Sequence, residues 1–218
     1  MLNKKDIFDI NKRYSDRLKL NGYSPKTLGW SDKYQQEKRF ERFSSHLEIY
    51  EKNILDVGCG FGDLYHYLKS KKDYEFNYTG IDINPELIKK AKILTDNKIN
   101  FFEVNMLDQY QFEFLKSKKF DIVVAIGVFN LNFAKDTLKM EKFIDQMITK
   151  MNILATEKII FDFLPLYRCD KYQSEDYIMS YSLDVISKIM SRNKLVYTIN
   201  CEQLPNPMQE ALIVAKKL

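Results

Sequence analysis

One segment restricts the fold of this chain more than any other: residues 54–64, ILDVGCGFGDL. A mostly apolar run with the character of a buried strand leads directly into three glycines, each separated from the next by one residue. Glycine permits a tight turn and lets a ligand lie against bare backbone at the carboxyl end of a strand. The segment therefore predicts a strand, then a nucleotide-type loop, then a helix.

The glycine spacing differs from the dinucleotide-binding fingerprint G-x-G-x-x-G. The third glycine, Gly62, comes one residue early, and Asp63 occupies the position that the fingerprint requires. Asp56 lies two positions before the first glycine, where its carboxylate would repel a pyrophosphate. The loop therefore suits a cationic ligand better, and an NAD-dependent dehydrogenase is disfavoured.

From about residue 53 onward, apolar strand-like runs alternate with segments of helical period. The strand-like runs are NILDVG (53–58), NYTGID (77–82), INFFEV (99–104), FDIVVAIG (120–127) and KIIFDFL (158–164). Near-continuous apolar runs suit a parallel sheet, and the repetition of strand and helix is typical of right-handed βαβ crossovers. We therefore expect an α/β fold, a Rossmann-like doubly wound sheet of seven mostly parallel strands.

The C-terminal part departs from this alternation. Ser182 is a good N-cap for a helix over LDVISKIMSR (183–192). Two strand-like runs follow closely, KLVYTIN and EALIVAKK, and predict an antiparallel edge.

The N-terminal part is helical in character. NGYSP (21–25) predicts a break, and a helix is predicted over 33–51. We expect one domain over 1–218, made of a helical cap (1–50) and a Rossmann-like core (51–218).

Composition limits the class of protein. With 218 residues and 45% hydrophobic side chains, the chain can bury one sizeable core. No apolar run approaches the ~20 residues that cross a bilayer, and the N-terminus lacks a signal-peptide pattern, so we expect a cytoplasmic protein without a membrane partner. Three cysteines without a C-x-x-C pair give no reason to expect a metal. A net charge of +4, scattered along the chain, disfavours a nucleic-acid partner.

A second acidic residue, Asp82, ends the second strand-like run twenty residues after Gly62. A carboxylate at that strand tip can accept hydrogen bonds from both hydroxyls of a ribose. Capping of the next helix is the alternative for Asp82 alone, but two acidic residues at neighbouring strand tips are harder to explain as caps. The two motifs together predict a nucleoside site.

Four motifs, ILDVGCGFGDL, YTGIDINPELIKKAK, FFEVNMLD and FDIVVAIGVFN, together resemble the class I S-adenosylmethionine (SAM)-dependent methyltransferases. The resemblance covers about residues 50–165. It implies SAM as the cofactor and S-adenosylhomocysteine (SAH) as the product.

The resemblance also implies roles for single residues. Asp56, Gly58 and Gly60 would line the methionine part of SAM. Asp82 would hold the ribose hydroxyls, and Ile83 would pack on the adenine.

Three further positions extend this assignment. Asn105 stands where the family usually has an aspartate that accepts the adenine amino group; its carboxamide oxygen can still accept, with Asp108 as the fallback. Met106 would offer its backbone N–H to the ring. Gly127 follows the fourth strand, beneath the expected sulfonium.

Gly29-Trp30 and Arg39-Phe40 resemble a subgroup in which the segment before the first strand closes over the methionine end. Arg39 would clamp the SAM carboxylate, since guanidinium matches that planar group; an exposed helix arginine is the alternative. Trp30 is either part of the core or part of a lid.

The sequence does not identify a catalytic residue. Phe129 and Asn130, after the fourth strand, and Tyr167, after the fifth, are the candidates. Other candidates for substrate contact share the stretch after the fifth strand with Tyr167; they are Arg168, Asp170, Tyr172 and Glu175.

We expect methyl transfer by in-line displacement to a small-molecule acceptor: a sugar, an amine or a carboxylate. The tetrapeptide GVFN after the fourth strand is unlike the N-P-P-Y of nucleic-acid amino methyltransferases. An RNA methyltransferase and a non-catalytic SAM-binding or partner module remain as alternatives, and the oligomeric state is left open.

Overall fold

The computed structural model describes residues 2–71, 75–166, 177–203 and 209–217. Within this part of the chain, eight strands form one sheet. They are β1 (Asn53–Val57), β2 (Asn77–Asp82), β3 (Asn100–Glu103), β4 (Phe120–Ala125), β5 (Ala155–Pro165), β6 (Ser180–Tyr181), β7 (Leu195–Gln203) and β8 (Gln209–Lys217).

The strand order is β3-β2-β1-β4-β5-β8-β7. The first five strands in this order are parallel, and β8 is antiparallel to both β5 and β7. The two-residue β6, which the sequence did not predict, pairs with the end of β5. The prediction of a mostly parallel Rossmann-like sheet with an antiparallel edge is confirmed.

The described helices begin and end as follows: α1 (Lys4–Asn21), α2 (Pro25–Leu28), α3 (Lys33–Ser44), α4 (Asp63–Lys71), α5 (Pro85–Leu94), α6 (Gln109–Lys116), α7 (Thr137–Leu154) and α8 (Leu183–Arg192). Most have a side chain that accepts a backbone N–H of the first turn, which satisfies a donor that the helix itself leaves unpaired. Ser182, for example, caps α8 as predicted. None of these helices has the length and apolarity needed to span a bilayer.

The core lies on both faces of the sheet because successive strand residues point in opposite directions. Leu55 packs on the face covered by α6, α7 and α8, whereas its neighbour Ile54 packs on the face covered by α3, α4 and α5. This alternation produces the doubly wound arrangement and leaves the carboxyl ends of the parallel strands open at one edge.

Helix α3 ends earlier than the predicted 33–51. The Ser45 hydroxyl donates to the carbonyl of Arg42, and the following residues Leu47 and Ile49 are only 2% and 1% exposed. The chain therefore leaves the helix so that these two side chains can join the core, a gain that outweighs continued helical bonding.

Helix α1 lies over the end of β2. The fully buried Asn84 donates from Nδ2 to the carbonyl of Asn11 at 3.1 Å and to the Ser15 hydroxyl at 3.4 Å. These contacts hold the N-terminal helices above the carboxyl edge of the sheet.

Candidate functional site

A cavity of about 370 Å³ lies between the carboxyl ends of the parallel strands and the N-terminal helices. Its volume falls in the range of small-molecule sites. All ten residues predicted to bind the cofactor contribute to its wall: Trp30, Arg39, Asp56, Gly58, Gly60, Asp82, Ile83, Asn105, Met106 and Gly127.

The glycine loop brings bare backbone to this cavity. Gly58 has a positive φ of 73°, and an added Cβ would lie 2.6 Å from Cγ2 of Val128. The N–H groups of Gly58 and Cys59 donate to the carbonyl of Ile81, which ties the loop to β2. A side chain at Gly58 would therefore strain the backbone and fill the cradle that a ligand needs.

Asp82 fixes the same loop from the tip of β2. Its Oδ2 accepts the N–H of Gly60 at 3.1 Å, and its Oδ1 accepts the N–H of Asn84 at 2.9 Å. Each oxygen keeps a lone pair for a ligand. Asn84, not Asp82, caps α5, so the capping alternative for Asp82 is wrong. Burial raises the pKa of Asp82 above its usual value.

Asp56 is the second carboxylate of this wall. It is 4% exposed, and the Tyr78 hydroxyl donates to its Oδ2. Burial raises the pKa of Asp56 to about 7; the Tyr78 hydrogen bond opposes the shift, and the negative charge of Asp82 adds to it. A cation in the cavity would favour the ionised form of this carboxyl.

Asp63, at the start of α4, joins the cap to the glycine loop. Tyr23 donates its hydroxyl to Oδ1 at 2.7 Å, and Gln36 donates from Nε2 to Oδ2 at 2.8 Å. Tyr23 also packs edge-on against Phe61, with 5.2 Å between ring centroids. The sequence marked Asp63 only as a departure from the fingerprint, because its two partners are distant along the chain.

Arg39 is buried in the part of the cavity wall near the ends of β5 and β8. Its Nη2 pairs with Oε1 of Glu210, its Nε lies 3.8 Å from Oδ2 of Asp162, and its guanidinium stacks 4.3 Å from the Trp30 ring centroid. Burial lowers the pKa of Arg39 to about 10, which still leaves a cation at neutral pH. The exposed-arginine alternative is therefore wrong. The carboxylate clamp stays a prediction.

Trp30 is half-buried and lies beside Gly127, where an added Cβ would be 3.1 Å from its ring. It therefore covers the turn after β4. Trp30 packs partly against the core and also lines the cavity, and its role as a lid stays a prediction.

The turn after β3 forms another part of the cavity wall. Asn105 accepts the N–H of Leu107 on Oδ1 at 3.0 Å, so one of the two lone pairs of this oxygen is already used. Asp108 caps α6 and is not part of the cavity wall, which does not support the fallback assignment. Ile83 and Met106 supply apolar surface here.

Two catalytic candidates lie in the turn after β4, and the structure places them in different environments. Phe129 is fully buried and packs edge-on against Phe161 at 5.6 Å, so it lies in the core, contrary to its prediction as a catalytic candidate. Val128 faces the cavity instead. Asn130 lines the cavity, and its Nδ2 donates to Oε1 of Glu210 at 3.2 Å.

The remaining candidates lie outside the described residues; they are Tyr167, Arg168, Asp170, Tyr172 and Glu175. Across the described ranges, no group of three or more His, Cys, Asp or Glu side chains is arranged to hold a metal ion.

A family model described as a methyltransferase domain matches residues 50–205 of this chain, well over half of its length. The chain belongs to this methyltransferase family. The prediction of a class I SAM-dependent methyltransferase is thereby confirmed, and SAM as the cofactor follows from it.

Two methyltransferases are similar to parts of this chain in sequence. A putative methyltransferase of Mycobacterium tuberculosis is 26% identical over 117 residues, which are 53% of this chain and 64% of the relative. The 2-methyl-6-phytyl-1,4-hydroquinone methyltransferase of Synechocystis is 52% identical over 42 residues, which are 19% of this chain and 13% of the relative. The matched segment spans less than two thirds of either relative.

Solved methyltransferase structures share the fold. The magnesium protoporphyrin IX methyltransferase of Synechocystis, with bound SAM, has a TM-score of 0.69 at 15% identity and covers 100% of this chain and 99% of its own. A SAM-dependent methyltransferase of Clostridium acetobutylicum has a TM-score of 0.61 at 12% identity, covering 95% and 98%. At these identities the likeness is one of architecture.

Proposed function

We propose that this methyltransferase transfers the methyl group of SAM to a small-molecule acceptor inside the cavity. The observation that carries the proposal is the wall formed by Asp56, Asp82 and the glycine loop, which offers two carboxylates and bare backbone to one ligand. SAM carries a positive sulfonium and a ribose, so its chemistry matches this wall. A pyrophosphate would be repelled by it.

The wall supports a specific orientation of the cofactor. Asp82 would accept the ribose hydroxyls, and Asp56 with Gly58 would hold the methionine part. Ile83 and Met106 would pack against the adenine. The sulfonium would then lie near the turn at Gly127.

The cap supports the reaction itself. In-line displacement requires that the acceptor atom be held about 3 Å from the methyl carbon and that water be excluded. Trp30 and the residues of α1 that line the cavity cover it from above. The attacking atom bonds to the methyl carbon while the carbon–sulfur bond breaks, and the sulfur becomes neutral.

The names of two similar proteins support a small-molecule acceptor. The two Synechocystis proteins are named for a porphyrin and a hydroquinone.

Two measurements test the proposal. Isothermal titration calorimetry should show binding of SAM and none of NADH; the reverse would contradict the cofactor assignment. A metabolite-library screen that follows conversion of SAM to SAH should then identify the acceptor. Binding of SAM without SAH formed in any metabolite pool would favour the non-catalytic alternative, and retention on RNA that weakens steeply with salt would favour an RNA substrate.

A further inference from the structure

The wall opposite Asp82 contains a buried acidic residue that the sequence did not single out. Strand β8 runs antiparallel to β5, and Ala211 pairs with Phe163 near the end of β5. Glu210, the preceding residue, therefore lies at the edge where the parallel strands end. It is fully buried and lines the cavity.

One oxygen of Glu210 is held in place. Oε1 pairs with Nη2 of Arg39 and accepts from Nδ2 of Asn130 at 3.2 Å. The second contact also sets the orientation of the Asn130 amide, since its nitrogen must face the carboxylate and its oxygen must face away.

Two oxygens remain at this place. Oε2 of Glu210 and Oδ1 of Asn130 are buried, and neither accepts a hydrogen bond from any described residue. Buried polar atoms are nearly always paired, and an unpaired carboxylate oxygen is costly. Both atoms accept hydrogen bonds and neither donates, so together they fit a ligand group that donates.

We propose that Glu210 and Asn130 form the acceptor subsite and select a substrate whose reacting oxygen or nitrogen carries a proton. This inference rests on the proposed methyl transfer. A hydroxyl or an amine can donate to both oxygens, whereas a carboxylate would place further negative oxygen beside Glu210. Of the three acceptor classes that the sequence left open, a sugar hydroxyl and an amine are compatible with this subsite, and a carboxylate is not.

Glu210 can also accept the proton that the attacking oxygen or nitrogen loses. The lone pair of the attacking oxygen or nitrogen forms the bond to the methyl carbon, and the electrons of the breaking carbon–sulfur bond go to sulfur. The proton of the attacking atom passes to Oε2 of Glu210 and leaves later to solvent. Arg39 holds Oε1, so the carboxylate is oriented before the acceptor arrives.

A plain counter-ion role is the competing explanation, because Glu210 neutralises Arg39. Glu210→Gln separates the two roles: the amide oxygen can still accept from Arg39, but the side chain can no longer take up a proton. Glu48→Gln is a matched control, since it removes a glutamate whose side chain is 94% exposed.

The test uses the acceptor identified with the wild-type enzyme. Glu210→Gln should slow SAH formation by about 100-fold or more, the usual contribution of a general base. Its Kd for SAM should stay within about fivefold, and Glu48→Gln should match the wild type in both. SAH formation by Glu210→Gln within about threefold of the wild-type rate would overturn the inference.

A second variant tests the subsite even if Glu210→Gln does not fold. Asn130→Ala should raise the KM for the acceptor about tenfold, the effect of losing one hydrogen bond, with the Kd for SAM retained. An unchanged KM would overturn the subsite.

Mass spectrometry of the product gives an independent result. An O-methyl ether or an N-methyl amine supports the inference, and a methyl ester overturns it while leaving the proposed methyl transfer intact. A wild-type enzyme that binds SAM but forms no SAH would instead refute the proposed function, and this inference with it.

Discussion

The affinity for SAM is expected to rise between pH 6 and pH 8 because of Asp56. Burial raises the pKa of this carboxyl to about 7, so it is mostly protonated at pH 6 and mostly ionised at pH 8. Only the ionised form attracts the cationic methionine end of SAM. At low pH the cofactor must therefore displace a proton before it can bind.

The expected size of the effect follows from this pKa. If only ionised Asp56 binds SAM, the apparent Kd scales with 1 + 10^(pKa − pH), a factor of about 11 at pH 6 and about 1.1 at pH 8. The Kd should therefore fall about tenfold over this range, which corresponds to ~1.4 kcal/mol.

The same pKa shift acts on the stability of the free protein with the opposite sign. The folded state binds the proton of Asp56 more tightly than the unfolded state does, so the contribution of this group is fully present below about pH 4. It is lost as the pH rises toward about 7. Asp56→Asn should abolish this loss of stability. The fall in Tm between pH 5 and pH 8 should therefore be smaller in this variant than in the wild type.

Calorimetry at pH 6, 7 and 8 and constant ionic strength measures the affinity. 5′-Methylthioadenosine is the ligand control, because it keeps the ribose that Asp82 would bind but lacks the methionine part; its Kd should change little. Asp56→Asn is the protein control and should lose the pH dependence of SAM binding. A Kd for SAM that is equal at pH 6 and pH 8, or an equal change in Asp56→Asn, would refute the reasoning.

Three further predictions concern single substitutions. Asp82→Ala removes two charge-assisted hydrogen bonds to the ribose and should weaken SAM binding by about 2–4 kcal/mol in calorimetry; unchanged affinity would contradict the ribose assignment. Gly62→Ala introduces a Cβ at a φ of 76°, only 2.5 Å from Phe101, and should cost at least ~1–2 kcal/mol, seen as a lower Tm; a wild-type Tm would contradict it. Arg39→Ala removes the cation that pairs with two buried carboxylates and should destabilise the fold by about 3–5 kcal/mol in urea unfolding; an unchanged midpoint would show that the pairing is unimportant.

Features encoded by neighbouring residues could be predicted from the sequence. The run over 77–82 coincides with β2, whose residues 78–81 are all buried, as expected for a strand of a parallel sheet that is covered on both faces. The cap at Ser182 was also predicted, since a hydroxyl before an amphipathic run satisfies a local backbone donor. Asp56 and Asp82 were placed in one wall because neighbouring parallel strands end at the same edge.

Features that depend on distant contacts could not be predicted. Glu210 is an ordinary glutamate in the sequence and reaches the cavity only because β8 inserts beside β5 in antiparallel orientation. Asp162 carried a signal that was available, because it is an acidic residue inside the otherwise apolar run IIFDFL of β5. Phe129 was misplaced because an apolar residue after a strand can face either side, and the turn at Gly127, with a φ of 72°, decides which.

The position of the cofactor is the central claim, and a crystal structure of the protein with SAH tests it most directly. We predict that the ribose hydroxyls lie within hydrogen-bond distance of Asp82, with the homocysteine part against Asp56 and Gly58. SAH bound outside this cavity, or in it with the ribose away from Asp82, would contradict the account.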